Sequence, residues 1–443
     1  MRFNPVSLVK KKRGGGELSR EEIAELVSGY TDGSVPDYQM SAFLMAVLFR
    51  GMTSRETADL VDVMQHSGKV ANLSRIQAPK LDKHSTGGIG DKTSLILAPL
   101  LASCGVAYPT IAGKGLGHTG GTVDKLLSIP GFNAALTLDR FAELVGSVGC
   151  AFIGQTEEIC PADRKIYALR DVTGTVESIP LIVASIMSKK LAEGIDGLVL
   201  DVKVGSGAFM KTLEDAEALA RALVDTGKAA GKLTRAVLTD MSQPLGRAVG
   251  NAIEVNECVA FLRHGHNDPK PEARLWEVTM TLAEELLAMG EEKKSGRQGN
   301  RADARRRLEE ALTSGRAYSK FLEIVSLQGG DTHAVDEGLP LAPKKSLLKA
   351  GADGFVSAMR GEEIGMALIE LGGGRKATTD QLDYGVGFEF HVRLGEKVRK
   401  GDALVSLFHR DSKSGDKAMK ILEDSVLITP DAPRIPDLIH KRI

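Results

Sequence analysis

The chain has 443 residues, 42% of them hydrophobic, with 57 basic residues against 58 acidic ones and a formal net charge of −1. That length exceeds what one core organises and predicts two or three domains, while the near-cancellation of charge excludes a global field for nucleic acid or an anionic membrane and makes any anion site local. No window approaches the ~20 apolar residues needed to cross a bilayer, and Cys104, Cys150, Cys160 and Cys258 lack C-x-x-C spacing, so they are read as reduced, buried residues and not as disulfides or metal ligands.

In chain order, the first 16 residues are basic without a signal peptide's apolar stretch and are expected to be a solvated segment. Residues 17–70 read as short helices, because Ser19-x-x-Glu22 and Thr53-x-x-Glu56 have capping-box form. From about Lys80 short apolar segments alternate with glycine turns and helices, the texture of parallel βαβ units. Gly197–Val202 is expected as a buried strand, Leu213–Lys228 as a helix and Arg235–Thr239 as the next strand. Between Pro161 and Gly194 the pattern is helical again. Gly290–Arg301 is expected as a surface loop, Ala302–Ser314 as a helix, and the chain after Ser346 as β-rich. The expected fold is α/β: a discontinuous helical domain (residues 1–70 plus 161–194), a mixed α/β domain (80–155 plus 195–335) and a C-terminal α+β unit (346–443), with the site in the cleft between the first two.

Three stretches carry chemistry. Lys83-His-Ser-Thr-Gly-Gly-Ile-Gly-Asp-Lys-Thr-Ser94 runs from a short apolar segment into a helix. Freed glycine amides and the helix dipole then point at one place, an anion-binding arrangement to which Lys83, Ser85 and Ser94 add donors. A solvated glycine turn is the plain alternative, and a Walker A loop is excluded by Asp91 before Lys92-Thr93. The second stretch, Ala112-Gly-Lys-Gly-Leu-Gly-His-Thr-Gly-Gly-Thr-Val-Asp-Lys125, contains a formal G-x-G-x-x-G, but Ser128–Phe132 interrupts the long helix a dinucleotide fold requires. The two loops read as walls of a single oxyanion site, Thr122 supplying a hydroxyl. In the third, Tyr167 and Arg170 lie three apart on one helix, and Ser185 and Lys189 lie four apart on the next, so each pair shares a face.

Together KHSTGGIGDKTS, GLGHTGGTVDKL and YALRDVTGTVESIPLIVASIMSKKLAEG resemble the signatures of the pyrimidine nucleoside and thymidine phosphorylases, and DMSQPLGRAVGNAIEV and GVGFEFHVRLGEKVRKGDAL extend the resemblance over nearly the whole chain. It implies reversible phosphorolysis of thymidine, with uridine and deoxyuridine as further candidates, to free base and pentose 1-phosphate. It also implies a cytoplasmic homodimer joined through the helical domain, with inorganic phosphate as co-substrate, no required cofactor, and no nucleic-acid or membrane partner. Carried over, Lys83, Ser85, Ser94 and Thr122 hold phosphate; Tyr167, Arg170, Ser185 and Lys189 face the pyrimidine; His84 lies beside base O2; Leu116 and Phe209 are apolar walls. The implied catalytic set is His84, Arg170, Ser185 and Lys189. Cleavage of C1′–N1 passes through an oxocarbenium-like centre, so negative charge growing on the base needs cations and donors. At His84, proton transfer and a hydrogen bond to O2 both remain open.

Two departures stand out. Ala112-Gly113-Lys114 replaces a Ser-Gly-Arg of the family, losing a phosphate-binding hydroxyl whose bond to a charged group is typically worth about 1.5–3 kcal/mol. A potassium site of some members would match Gly90, Leu245, Ala248 and Glu257, but Lys92 stands where a threonine belongs, and its ammonium is expected to take the ion's place. Two rivals remain: an anthranilate-type phosphoribosyltransferase, which needs acidic residues for magnesium pyrophosphate, and a non-catalytic nucleoside-binding protein.

Overall fold

The computed structural model describes residues 3–115, 120–264, 271–376 and 380–443. Four helices open the chain: α1 (Pro5–Arg13), α2 (Arg20–Asp32), α3 (Asp37–Arg50) and α4 (Ser54–Gln65). Both capping boxes form, with Ser19 and Thr53 accepting the third amide of their helices and Glu22 and Glu56 reaching back. α1 corrects the expectation of a solvated start. Asn4 caps it and Pro5 occupies its first turn, where the missing amide costs nothing. Lys12 is 3% exposed, its Nζ 2.8 and 2.9 Å from the two oxygens of Glu56. Glu56 therefore caps α4 and neutralises α1 at once.

The chain continues with β1 (Leu81–Ser85), α5 (Thr93–Ser103), β2 (Tyr108–Ala112), α6 (Thr122–Leu126), α7 (Leu138–Val148) and β3 (Cys150–Gly154), then α8 (Pro161–Thr173) and α9 (Ile179–Ala192). The last two return to the opening helices: Ala162, Ile166, Leu181 and Met187 share a buried cluster with Leu26, Phe43, Leu60 and Met64. Next come β4 (Gly197–Val204), α10 (Leu213–Ala229), β5 (Leu233–Asp240), β6 (Ala248–Gly250), α11 (Ala252–Leu262), α12 (Ala273–Ser295), α13 (Arg301–Thr313), α14 (Arg316–Leu327) and α15 (Thr332–Glu337). β1, β4 and β5 pair in parallel, and every residue of β4 is buried, as a strand covered on both faces must be. β2 and β3 form a second parallel pair, bridged towards β1 between Lys80 and Ala107. The carboxyl ends of β1 and β2 lead into the two glycine loops, where open α/β sheets place their ligands.

The C-terminal unit contains β7 (Lys344–Lys349), β8 (Gly354–Met359), α16 (Gly361–Glu370), β9 (Gly387–Phe390), β10 (Lys397–Val398), β11 (Ala403–His409), α17 (Ser412–Ser425) and β12 (Val426–Thr429). Its antiparallel sheets enclose Val356, Phe388, Val405, Leu407 and Leu422. Two strands cross between units: β6 pairs with β9, and β13 (Ile439–Arg442) runs antiparallel to β5, so the last residues of the chain lie in the α/β sheet. The stretch Gly290–Arg301 is also corrected. α12 continues through GEEKKS, whose glutamates and lysines are good helix formers, and stops at Gly296 in the left-handed region. Among the described residues no helix is long and apolar enough to cross a membrane, no group of His, Cys, Asp and Glu is arranged to hold a metal ion, and the four cysteines are free.

Candidate active site

Strand alternation puts Lys83 and Ser85 on one face of β1 and Asp82 and His84 on the other. Lys83 Nζ lies 3.5 Å from Asp91 Oδ2 and 3.4 Å from Ser94 Oγ in the first turn of α5. Ser85 Oγ accepts the Gly87 amide at 3.2 Å, curling the loop back on the strand. Burial would raise the Asp91 carboxyl, but Lys83, Lys203, the Ser85 hydroxyl and Lys125 outweigh it and hold the group well below the usual carboxylate range. Lys125, on α6, donates to the Asp91 carbonyl at 2.7 Å and lies 3.1 Å from Glu254. The two glycine loops are thereby cross-braced, and Thr122 opens the helix that supplies the brace. Leu116 lies outside the described residues.

The residues expected to face the base lie on α8 and α9. Lys189 Nζ bonds Asp163 and reaches Ser185 Oγ, one turn back on its own helix, at 2.9 Å. Arg170 is 2% exposed; its Nε, Nη1 and Nη2 donate to the carbonyls of Thr175, Leu181 and Val176 at 3.2, 2.9 and 2.7 Å, and its guanidinium lies 5.8 Å from the Tyr167 ring centre. Three of the five N–H donors of the guanidinium are thereby used, and the fork is fixed in place. Asp163, 2% exposed with Oδ1 unbonded, faces both cations. Sequence reasoning missed it, since a lone aspartate near a helix start belongs to no motif. Phe209 stands 45% exposed between β4 and α10, more open than an apolar wall was expected to be.

His84 follows Lys83 on β1. Burial, followed by the charges of Lys190, Lys189 and Lys83, pushes its pKa well below the ordinary 6.5, with only Asp91 opposing. The charged form of the imidazole is thereby disfavoured. Behind it Lys190 Nζ bonds Asp82 Oδ2 at 2.7 Å, Glu193 Oε1 at 2.6 Å and the Ile111 carbonyl at 3.1 Å. This buried network, also missed, pins the helix of Lys189 to the strands of Lys83 and Ala112. A histidine whose folded pKa is depressed binds fewer protons than in the unfolded chain, so its stabilising contribution is present above about pH 6.5 and is lost as pH falls below it. Histidine-selective NMR of the ligand-free protein is expected to find His84 still neutral at pH 6.5. Substantial protonation there would contradict the geometry.

Lys92 is enclosed. Its Nζ lies 2.9 Å from the carbonyls of both Leu245 and Ala248 and 2.6 Å from Glu257 Oε2. Gly90 has φ +74, and a Cβ there would stand 2.6 Å from the Leu245 carbonyl, so only glycine lets the loop close on this cage. Burial opposes the charge, but Glu257 and Glu254 keep the pKa above its ordinary value.

Residues 6–68 match the helical bundle domain of the glycosyl transferase family, residues 77–318 its a/b domain, and residues 355–429 the pyrimidine nucleoside phosphorylase C-terminal domain. The chain is 47% identical over 440 residues to a pyrimidine-nucleoside phosphorylase of Staphylococcus haemolyticus, 45% over 441 residues to one of Geobacillus stearothermophilus and 46% over 441 residues to one of Bacillus subtilis, covering 99% of both chains each time. Among solved structures, the anthranilate phosphoribosyltransferase of Thermus thermophilus has a TM-score of 0.56 at 19% identity, covering 72% of this chain and 98% of that one, a likeness of fold alone.

Proposed function

This chain belongs to the pyrimidine-nucleoside phosphorylases, pentosyltransferases of the glycosyl transferase family that cleave pyrimidine nucleosides with phosphate, and we propose that it takes thymidine first and binds phosphate and base at the two facing poles. Inorganic phosphate is held by Lys83, Ser85, Ser94 and Thr122, with an oxygen presented to C1′ of the sugar. As the C1′–N1 bond breaks, its electron pair leaves with the base. Arg170 and Lys189 stabilise the charge on the base carbonyls, Ser185 bonds the N3 edge, and His84 donates its N–H to O2. Phosphate oxygen and C1′ then form the new bond of the pentose 1-phosphate. Holding both reactants in line and supplying fixed charge are the two means of acceleration.

The observation that supports this reading is the buried Lys190–Asp82 ion pair, 2.7 Å long, which fixes the helix of Ser185 and Lys189 against the strand of Lys83, His84 and Ser85. A cationic ammonium already in the Leu245–Ala248–Glu257 cage supports activity without potassium. Tyr38, Phe49 and Val172, each exposed on helices of the helical unit, support a homodimer through that unit, and a cytoplasmic setting agrees with four unpaired cysteines. Ala112 closes β2 without a hydroxyl, which predicts a weaker hold on phosphate than a serine would give. The test is an absorbance assay with thymidine, uridine and deoxyuridine, with and without phosphate, in dialysed protein free of magnesium. Phosphate-dependent cleavage, fastest with thymidine, is expected. Cleavage indifferent to phosphate, or none without magnesium, would refute the assignment.

A further inference from the structure

Of the second glycine loop, the residues up to Gly115 and from Gly120 onward are described. Its helix, α6, has five residues, too few to be stable without outside contacts. Its two arms touch backbone to backbone, since a Cβ on Gly121 would stand 2.1 Å from the Gly115 nitrogen. Asp124, two residues after Thr122, closes the turn by accepting the Gly115 amide at 2.6 Å. That places a buried carboxylate, 2% exposed, beside a loop assigned to bind an anion.

The partner of this carboxylate comes from the C-terminal unit. Arg375 grips it with both ends of its fork, Nη1 to Oδ2 and Nη2 to Oδ1 at 2.7 Å each, and Nη1 lies 3.4 Å from the Gly115 carbonyl. Arg375 is 9% exposed, so the pair is desolvated and its geometry is bidentate, the strong form of such a contact. The first glycine loop leans on the same unit: Ile89, 2% exposed, belongs to the cluster of Val356, Ile364 and Phe388. We propose that Arg375 is a positioning residue for phosphate, through which the C-terminal unit holds together the two ends of the second glycine loop, Gly115 and Gly121–Asp124, and cancels the carboxylate that would otherwise repel the ligand. The role rests on the assignment of phosphate to the two glycine loops.

The test measures KM for inorganic phosphate and for thymidine in the full-length protein carrying Arg375→Met, Arg375→Lys, Asp124→Asn with Arg375→Met, or Lys83→Met as a reference for the cradle. Arg375→Met is expected to raise the phosphate KM by about tenfold or more, with the thymidine KM within about twofold. Arg375→Lys keeps the charge but loses the fork, so it falls between Arg375→Met and the parent and carries the test if Arg375→Met does not fold. The double substitution removes the buried charge together with its partner and recovers part of the loss. Loss of kcat or of melting temperature in the Arg375 variants without the split between the two KM values overturns the proposal. If Lys83→Met raises the phosphate KM and the Arg375 variants do not, the brace alone fails; if Lys83→Met also leaves it unchanged, the cradle assignment has failed first.

Discussion

Replacing Lys189 with methionine is expected to lower kcat/KM for thymidine by about 100- to 1000-fold, the usual cost of removing one donor aimed at charge that develops in the transition state. Its ammonium bonds both Ser185 and Asp163. Deleting it therefore removes a cation from the base and leaves an unpaired carboxylate in its place. The second effect is separable. Lys189→Met combined with Asp163→Asn removes the stray charge, and it is expected to recover protein stability while remaining slow. Initial rates paired with melting curves for the two variants check this; full recovery of rate in the double variant would show that Lys189 merely neutralises Asp163.

Lys92→Met is expected to destabilise the protein by about 3–5 kcal/mol, as when one member of a buried ion pair is deleted. Glu257 and the carbonyls of Leu245 and Ala248 would lose the cation they converge on. Lys92→Thr is the more informative change, because it leaves the cage empty and polar. Its melting temperature is expected to rise as potassium chloride is titrated in and to stay flat with tetramethylammonium chloride, while the parent protein responds to neither. Potassium-dependent activity of the dialysed parent would show that the ammonium does not substitute for the ion.

The glycine loops were legible because their information is local. A strand, freed amides and a helix start follow one another in KHSTGGIGDKTS, and Ser185 and Lys189 declare a shared face by spacing alone. The three-unit organisation was legible for the same reason, since capping boxes, βα alternation and β-rich glycine turns change along the chain. What stayed hidden depends on partners distant in sequence. Lys12 reads as one more solvated lysine until Glu56 is found 44 positions on, and Arg375 gains meaning only from Asp124, 251 positions back. Lys190 stands beside Lys189 with no local mark of its role, although it carries the buried network that joins α9 to β1. α12 misled in another way: a run of glutamates and lysines resembles a loop by polarity, yet the same side chains favour helix when the preceding turns are already packed.

In the proposed site an oxyanion cradle and a cationic base grip face each other across one sugar. A matrix of initial rates, varying phosphate against thymidine in Lys83→Met and Lys189→Met, separates the two. Lys83→Met is expected to raise the phosphate KM and leave that of thymidine nearly unchanged, while Lys189→Met is expected to depress kcat/KM for thymidine and spare the phosphate KM. Either substitution acting on the other substrate's constant, or both acting alike, would contradict this arrangement.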